Sequence, residues 1–87
     1  MWQIRYSDLV VRQDIPKLDK AVGKRIQKGI EAKLITDPMR FGKPLRYSLY
    51  HLRSLHVGDY RVLYQLDHDT KTVSIASIGH RKDVYEI

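Results

Sequence analysis

Three segments in the C-terminal half, residues 50–57, 60–66 and 72–78, constrain the fold more than any other feature. Each is rich in the aromatic and β-branched side chains that suit a pleated, half-buried surface. The breaks between them are short: Gly58-Asp59, then the run Asp67-His68-Asp69-Thr70-Lys71. Connections of this length cannot carry a parallel crossover, so the three strands must form an antiparallel meander. Within the first segment His51, Arg53, Leu55 and Val57 share one parity, which strict alternation cannot place sensibly. A bulge or bend near Ser54 is therefore expected.

Upstream, Trp2, Ile4 and Tyr6 alternate with Gln3 and Arg5, predicting a strand over residues 1–6 with one buried face. Ser7 ends it and suits the N-cap of a short helix carrying Leu9, Val10 and Ile15, interrupted near Pro16. Asp19 caps a longer helix in which Val22, Ile26, Ile30 and Leu34 recur every four residues, the spacing of a core stripe. Lys17, Lys20, Lys24 and Lys28 form a basic ridge on its opposite side. A solvated helix face is the ordinary reading of that ridge, and contact with nucleic acid or the ribosome is the functional one. Asp37-Pro38, Gly42 and Pro44 then end helical structure. Strand, two helices and three strands imply an α+β fold, one twisted sheet with helices on one face and the other left open.

At 87 residues the chain is expected to be a single domain, 1–87, with no room for a second core. It has no cysteine, which excludes disulfides and thiolate metal sites and points to a reducing cytoplasm. No apolar run approaches the roughly 18 residues that span a bilayer, so neither membrane insertion nor secretion is expected. Lys and Arg number 16 against 10 acids, a net charge of +6, which favours polyanionic partners. Charge alone is equally served by solubility.

Motifs for dinucleotide, P-loop, serine-hydrolase and zinc chemistry are all missing, so no metal and no small-molecule cofactor is expected. What remains is a concentration of His51, Arg53, His56, Arg61, His80, Arg81, Lys82 and Tyr85. These types suit metal-free cleavage of RNA, which requires a base for the 2′-hydroxyl, cations for the phosphoryl oxygens and help for the departing 5′-oxygen. An aromatic ring holds an unstacked base. Arg61 follows the Gly58-Asp59 turn, His51 and Arg53 lie on the strand before it and Arg81 follows the last strand, so one basic site could gather all four.

The run Gly58-Asp59-Tyr60-Arg61-Val62-Leu63-Tyr64, followed by Ile78-Gly79-His80-Arg81-Lys82-Asp83-Val84-Tyr85, resembles the RelE branch of the RelE/ParE toxin superfamily. The order of elements agrees along the chain, including Gly42-Lys43-Pro44-Leu45 ahead of the meander. The resemblance implies a toxin neutralised by a RelB-like cognate antitoxin that, when free, cleaves messenger RNA in the ribosomal A site through the substrate's own 2′-hydroxyl. By the same resemblance Arg61 stabilises the scissile phosphate, Arg81 serves transition-state charge and leaving-group protonation, and Tyr85 stacks on the substrate base. Lys82 joins the lysine ridge in contacting RNA. Where RelE toxins carry two alternating lysines before the turn, this chain has His51 and Arg53. Arg53 keeps the phosphate-binding charge, and His51 would replace a lysine base, which needs a strongly lowered pKa, by an imidazole.

Structural readings stand beside these. Arg61 would pair with Asp59 or Asp67, Arg81 and Lys82 would form a solvated cluster, and Tyr85 would pack back on the domain. His56 and His68 read as structural or solvent-facing, His80 points to the other face if its strand continues, and Trp2, Tyr60 and Tyr64 suit the core. Two rival functions remain, a ParE-like inhibitor of DNA gyrase and a non-catalytic module that binds RNA or protein. An antitoxin would be partly acidic and would lay a helix or strand over the apolar and basic surfaces.

Overall fold

A computed structural model describes residues 1–46 and 51–83. It contains β1 (Gln3–Tyr6), a short irregular helical segment, α1 (Lys20–Leu34), α2 (Pro38–Phe41), β2 (Lys43–Pro44), β3 (Arg53–Val57), β4 (Tyr60–Asp67) and β5 (Thr72–His80). The strands form one sheet in the order β1-β5-β4-β3-β2. β1 runs parallel to β5, and all other neighbours are antiparallel. The expected α+β architecture and meander are thus present, with β2 and α2 as additions.

Both expected caps form. The Ser7 hydroxyl accepts from the Val10 amide at 3.2 Å. It opens a segment whose turns are first too wide and then too tight for an α-helix: Ile15 N–H reaches back to the Val10 carbonyl, and Leu18 N–H to that of Ile15. Pro16 lacks an amide hydrogen to continue a regular ladder. The Asp19 carboxylate accepts from the Ala21 amide at 3.2 Å at the start of α1. Ile26, Ile30 and Leu34 are buried, with Val22 half-buried beside them. At about 1.5–3 kcal/mol per buried aliphatic side chain, this stripe is what holds a short helix to the sheet.

The register assigns the two sheet faces. Tyr60, Val62, Tyr64 and Leu66 of β4 lie beside Val57, Leu55 and Arg53 of β3 and beside His80, Ile78, Ile75 and Val73 of β5. This is the core face, where Leu55, Val62, Tyr64, Val73, Ile75 and Ile78 join Val10 and the α1 stripe. Arg61, Leu63 and Gln65 point the other way, with Ser54 and His56 on one side and Ser74, Ser77 and Gly79 on the other.

The irregularity expected near Ser54 is elsewhere. β3 pairs with β4 without interruption from Arg53 to Val57. The parity conflict is resolved by His51, whose φ of 53° takes it out of the extended conformation, so that the strand begins at Arg53. The bulge belongs to β5: Leu63 faces Ser77 while Tyr64 faces Ile75, leaving Ala76 as the extra residue. The Asp14 carboxylate accepts from the Ile78 amide just beyond it, at 2.9 Å.

Candidate active site

In a two-residue hairpin, residues equidistant from the turn face one another. Gly58-Asp59 therefore sets Val57 opposite Tyr60 and His56 opposite Arg61. Gly58 has φ of 59°, and a β-carbon there would overlap the Arg25 guanidinium, so α1 lays a cation against this turn. Arg61 sits on the face away from the helices, between His56 and Gly79. The Arg81 amide donates to the Asp59 carbonyl at 2.9 Å, continuing the β5 alignment one residue past His80 and fixing Arg81 at the same end of the sheet. Arg61 on β4 and Arg81 just past the end of β5 thus lie at the same end of the sheet. His56, an exposed residue whose spacing alone marks it as structural or solvent-facing, lies opposite Arg61 at this end.

Two residues expected here are not gathered. Arg53 opposes Tyr64 on the core face. Its Nε donates to the Tyr64 hydroxyl at 3.4 Å, and its Nη2 donates to the Met39 and Gly42 carbonyls, each at 2.6 Å. Tyr64 donates in turn to the Pro38 carbonyl at 2.8 Å. The expectation that Arg53 binds phosphate beside Arg61 is corrected by these bonds, which make it a latch holding α2 against the sheet. His51 lies ahead of β3 in a cleft with Leu66 and His68. Leu66 is five positions from Arg61 along β4, about 16 Å at the rise of a strand, so His51 stands at the opposite end from Arg61.

The remaining histidines have other company. The His68 ring stands edge-on to Trp2, with centroids 5.5 Å apart. The His80 ring does the same against Tyr60 at 5.4 Å, and its Nδ1 accepts from the Lys82 amide at 3.2 Å. His80 thus lies on the core face, as alternation predicts. Lys82 is exposed next to Arg81. Asp67, one suggested partner for Arg61, is six positions away and accepts from the Asp69 and Thr70 amides. Lys20, Lys24 and Lys28 are exposed on α1, with Lys17 exposed on the preceding tight turn. Tyr85 lies outside the described residues. No group of three or more His, Cys, Asp or Glu suited to a metal occurs among the described residues.

Beside His56 the sheet edge opens into a cleft. β2 pairs only with Arg53 and Ser54, so Leu55 to Val57 extend beyond it. Lys33, Phe41, Lys43, Arg46, Ser54 and His56 line a space of about 550 Å³ there. Phe41 carries the Lys33 ammonium 5.9 Å and the Arg40 guanidinium 5.5 Å from its ring centre. Ser54 is 5% exposed, and its hydroxyl finds no partner among the described residues. The cleft offers cations and an aromatic ring, groups that hold a phosphate and an unstacked base.

The family model for the ParE toxin of type II toxin–antitoxin systems matches residues 4–85. Toxin RelG of Mycobacterium tuberculosis is 36% identical over 84 residues, 97% of this chain and 95% of the relative. Toxin RelE of the same organism is 33% identical over 75 residues, 86% of this chain and 77% of the relative. The structure of the RelBE2 toxin–antitoxin complex of M. tuberculosis superposes with a TM-score of 0.83 at 32% identity, covering 92% of this chain and 98% of that one. The isolated RelE toxin of E. coli shares the fold, with a TM-score of 0.74 at 18% identity over 92% of this chain and 84% of that one. The chain belongs to the RelE/ParE superfamily of type II toxin–antitoxin toxins.

Proposed function

We propose that the protein is a RelE-type toxin that cleaves messenger RNA on the ribosome and is neutralised by a cognate antitoxin. The observation that carries this reading is Arg61 on the sheet face away from the helices, with Arg81 just past the end of β5 and its amide bonded to Asp59 of the same hairpin turn. A phosphodiester in transit carries extra charge on its non-bridging oxygens, and two guanidinium groups supply the donors and charge that stabilise it. Family resemblance assigns Arg61 to the scissile phosphate, Arg81 to the charge on the leaving side and Tyr85 to the base. Attack by the 2′-hydroxyl yields a cyclic phosphate and a free 5′-hydroxyl, with no water or metal consumed. Lys17, Lys20, Lys24 and Lys28, with Lys82 near the site, provide the surface that meets ribosomal RNA. The antitoxin partner is supported by the complexes formed by similar toxins, RelBE2 among them.

The test is translation of a defined message on purified ribosomes, with new 5′ ends mapped by primer extension. The wild type should cut only on ribosomes, and Arg61→Ala and Arg81→Ala should each lose about a hundredfold or more in rate. Undiminished cutting by both variants would refute the assignment. A second reading, inhibition of DNA gyrase, is favoured by the ParE family match over residues 4–85. Loss of gyrase supercoiling at protein concentrations that leave ribosomal messages intact would establish it instead.

A further inference from the structure

Resting on the nuclease reading, we infer that His56 is the catalytic side chain that takes the 2′-hydroxyl proton, and that the RNA approaches it through the cleft between β2 and the part of β3 that extends beyond it.

The fold distributes four histidines to four places. His68 is stacked against Trp2, and His80 lies on the core face with its ring against Tyr60 and its Nδ1 receiving the Lys82 amide. His51 is at the far end of the sheet beside Leu66. His56 alone faces Arg61, directly across the β3–β4 ladder. Side chains so opposed have β-carbons about 4.5–5.5 Å apart, which lets an imidazole and a guanidinium converge on one phosphodiester from adjacent strands.

The cleft supplies the second observation. His56 lines the 550 Å³ space that Lys33, Lys43 and Arg46 make positive and Phe41 makes aromatic. Lys43 lies opposite Ser54 in the β2–β3 ladder, and Ser54 is two residues from His56 on the same face. Ser54, whose hydroxyl is buried and without a partner among the described residues, forms part of the wall of the same space. The path for RNA thus runs past Lys43 and Ser54 to His56 and ends on Arg61.

The chemistry balances without a co-reactant. An imidazole nitrogen of His56 accepts the 2′-hydroxyl proton as the 2′-oxygen bonds to phosphorus. The P–O5′ bond breaks with its electron pair on the 5′-oxygen, which takes a proton from solvent across the exposed face. His56 returns its proton to solvent, leaving a 2′,3′-cyclic phosphate, a 5′-hydroxyl and no net change in protons. Arg61 holds the phosphoryl oxygens throughout.

Single-turnover cleavage of a ribosome-bound message by wild type, His56→Ala, His51→Ala and Arg61→Ala tests this, with ribosome affinity measured in parallel and folding checked by circular dichroism. His56→Ala should lose about a hundredfold or more at saturating ribosomes with unchanged affinity, and added imidazole should restore part of the rate. Imidazole should leave Arg61→Ala unimproved, and His51→Ala should cut like wild type. A full-rate His56→Ala protein, a loss that imidazole leaves in place, or a defect in His51→Ala instead would overturn the assignment of His56 while the nuclease reading stands. No cutting by the wild type would remove both.

Discussion

At the scale of single residues, the same types that serve RNA chemistry also serve the fold, and register decides between them. Arg53 and Arg61 are both half-buried arginines of the hairpin, yet one bonds the Met39 and Gly42 carbonyls and the other lies on the helix-free face. The distinction was legible in part. Counting outward from Gly58-Asp59 pairs His56 with Arg61 and Arg53 with Tyr64, but a strand drawn from residue 50 put His51 and Arg53 beside the site. The positive φ of His51, which ends the pleat, has no signature in a histidine. The latch predicts a stability effect. Tyr64→Phe leaves the Pro38 carbonyl without its donor and the Arg53 Nε without its acceptor, and should cost about 1–3 kcal/mol in urea denaturation. Burial, only partly offset by Arg53, raises the Tyr64 pKa above 10.0. The folded state therefore holds this proton more tightly than the unfolded chain. The latch's contribution is whole below about pH 10 and is lost as pH rises through the folded value. Burial, with Glu31 adding to it, raises Tyr6 in the same direction, so Tyr64→Phe should remove part of the alkaline loss of stability and leave the rest. Gly42→Ala should destabilise by about 1–3 kcal/mol in the same assay, because the new methyl group overlaps the Tyr64 hydroxyl.

Among the elements, α1 carries the clearest division of labour. Ile26, Ile30 and Leu34 face the sheet and Lys20, Lys24 and Lys28 face outward, so charge reversal on the outer side should leave packing intact. Lys20→Glu, Lys24→Glu and Lys28→Glu together should weaken ribosome binding at least tenfold and shift the denaturation midpoint little, as measured by sedimentation with ribosomes and by urea titration. Unchanged binding would assign these lysines to solubility alone. This helix was legible in full, cap included, because period and capping chemistry agree. The segment before it was not: Ser7 capped as expected, but Pro16 and the bond that Asp14 accepts from the Ile78 amide accompany wide and then tight turns. β2 escaped notice because a two-residue strand containing Pro44 has no periodicity to read. The bulge at Ala76 escaped because Ser74, Ala76 and Ser77 alternate with nothing that marks an extra residue.

For the whole molecule, a net charge of +6 with the cations set on α1 and on the helix-free face predicts association that falls steeply with salt. Raising the salt from about 50 to 200 mM should weaken ribosome binding, and the triple lysine variant should show a shallower slope by about one unit of log affinity per log salt for each phosphate contact removed. A salt-independent affinity would place the contact elsewhere. The sheet order has a separate consequence for synthesis. β5 lies between β1 and β4, and Gln3 meets Thr72, 69 positions later. The first strand therefore stays without its neighbour until the last has emerged from the exit tunnel, and a nascent chain halted before residue 72 cannot join its outer strand to the hairpin. Vectorial synthesis thus withholds the assembled sheet from the ribosome that is making it until β5 has left the tunnel.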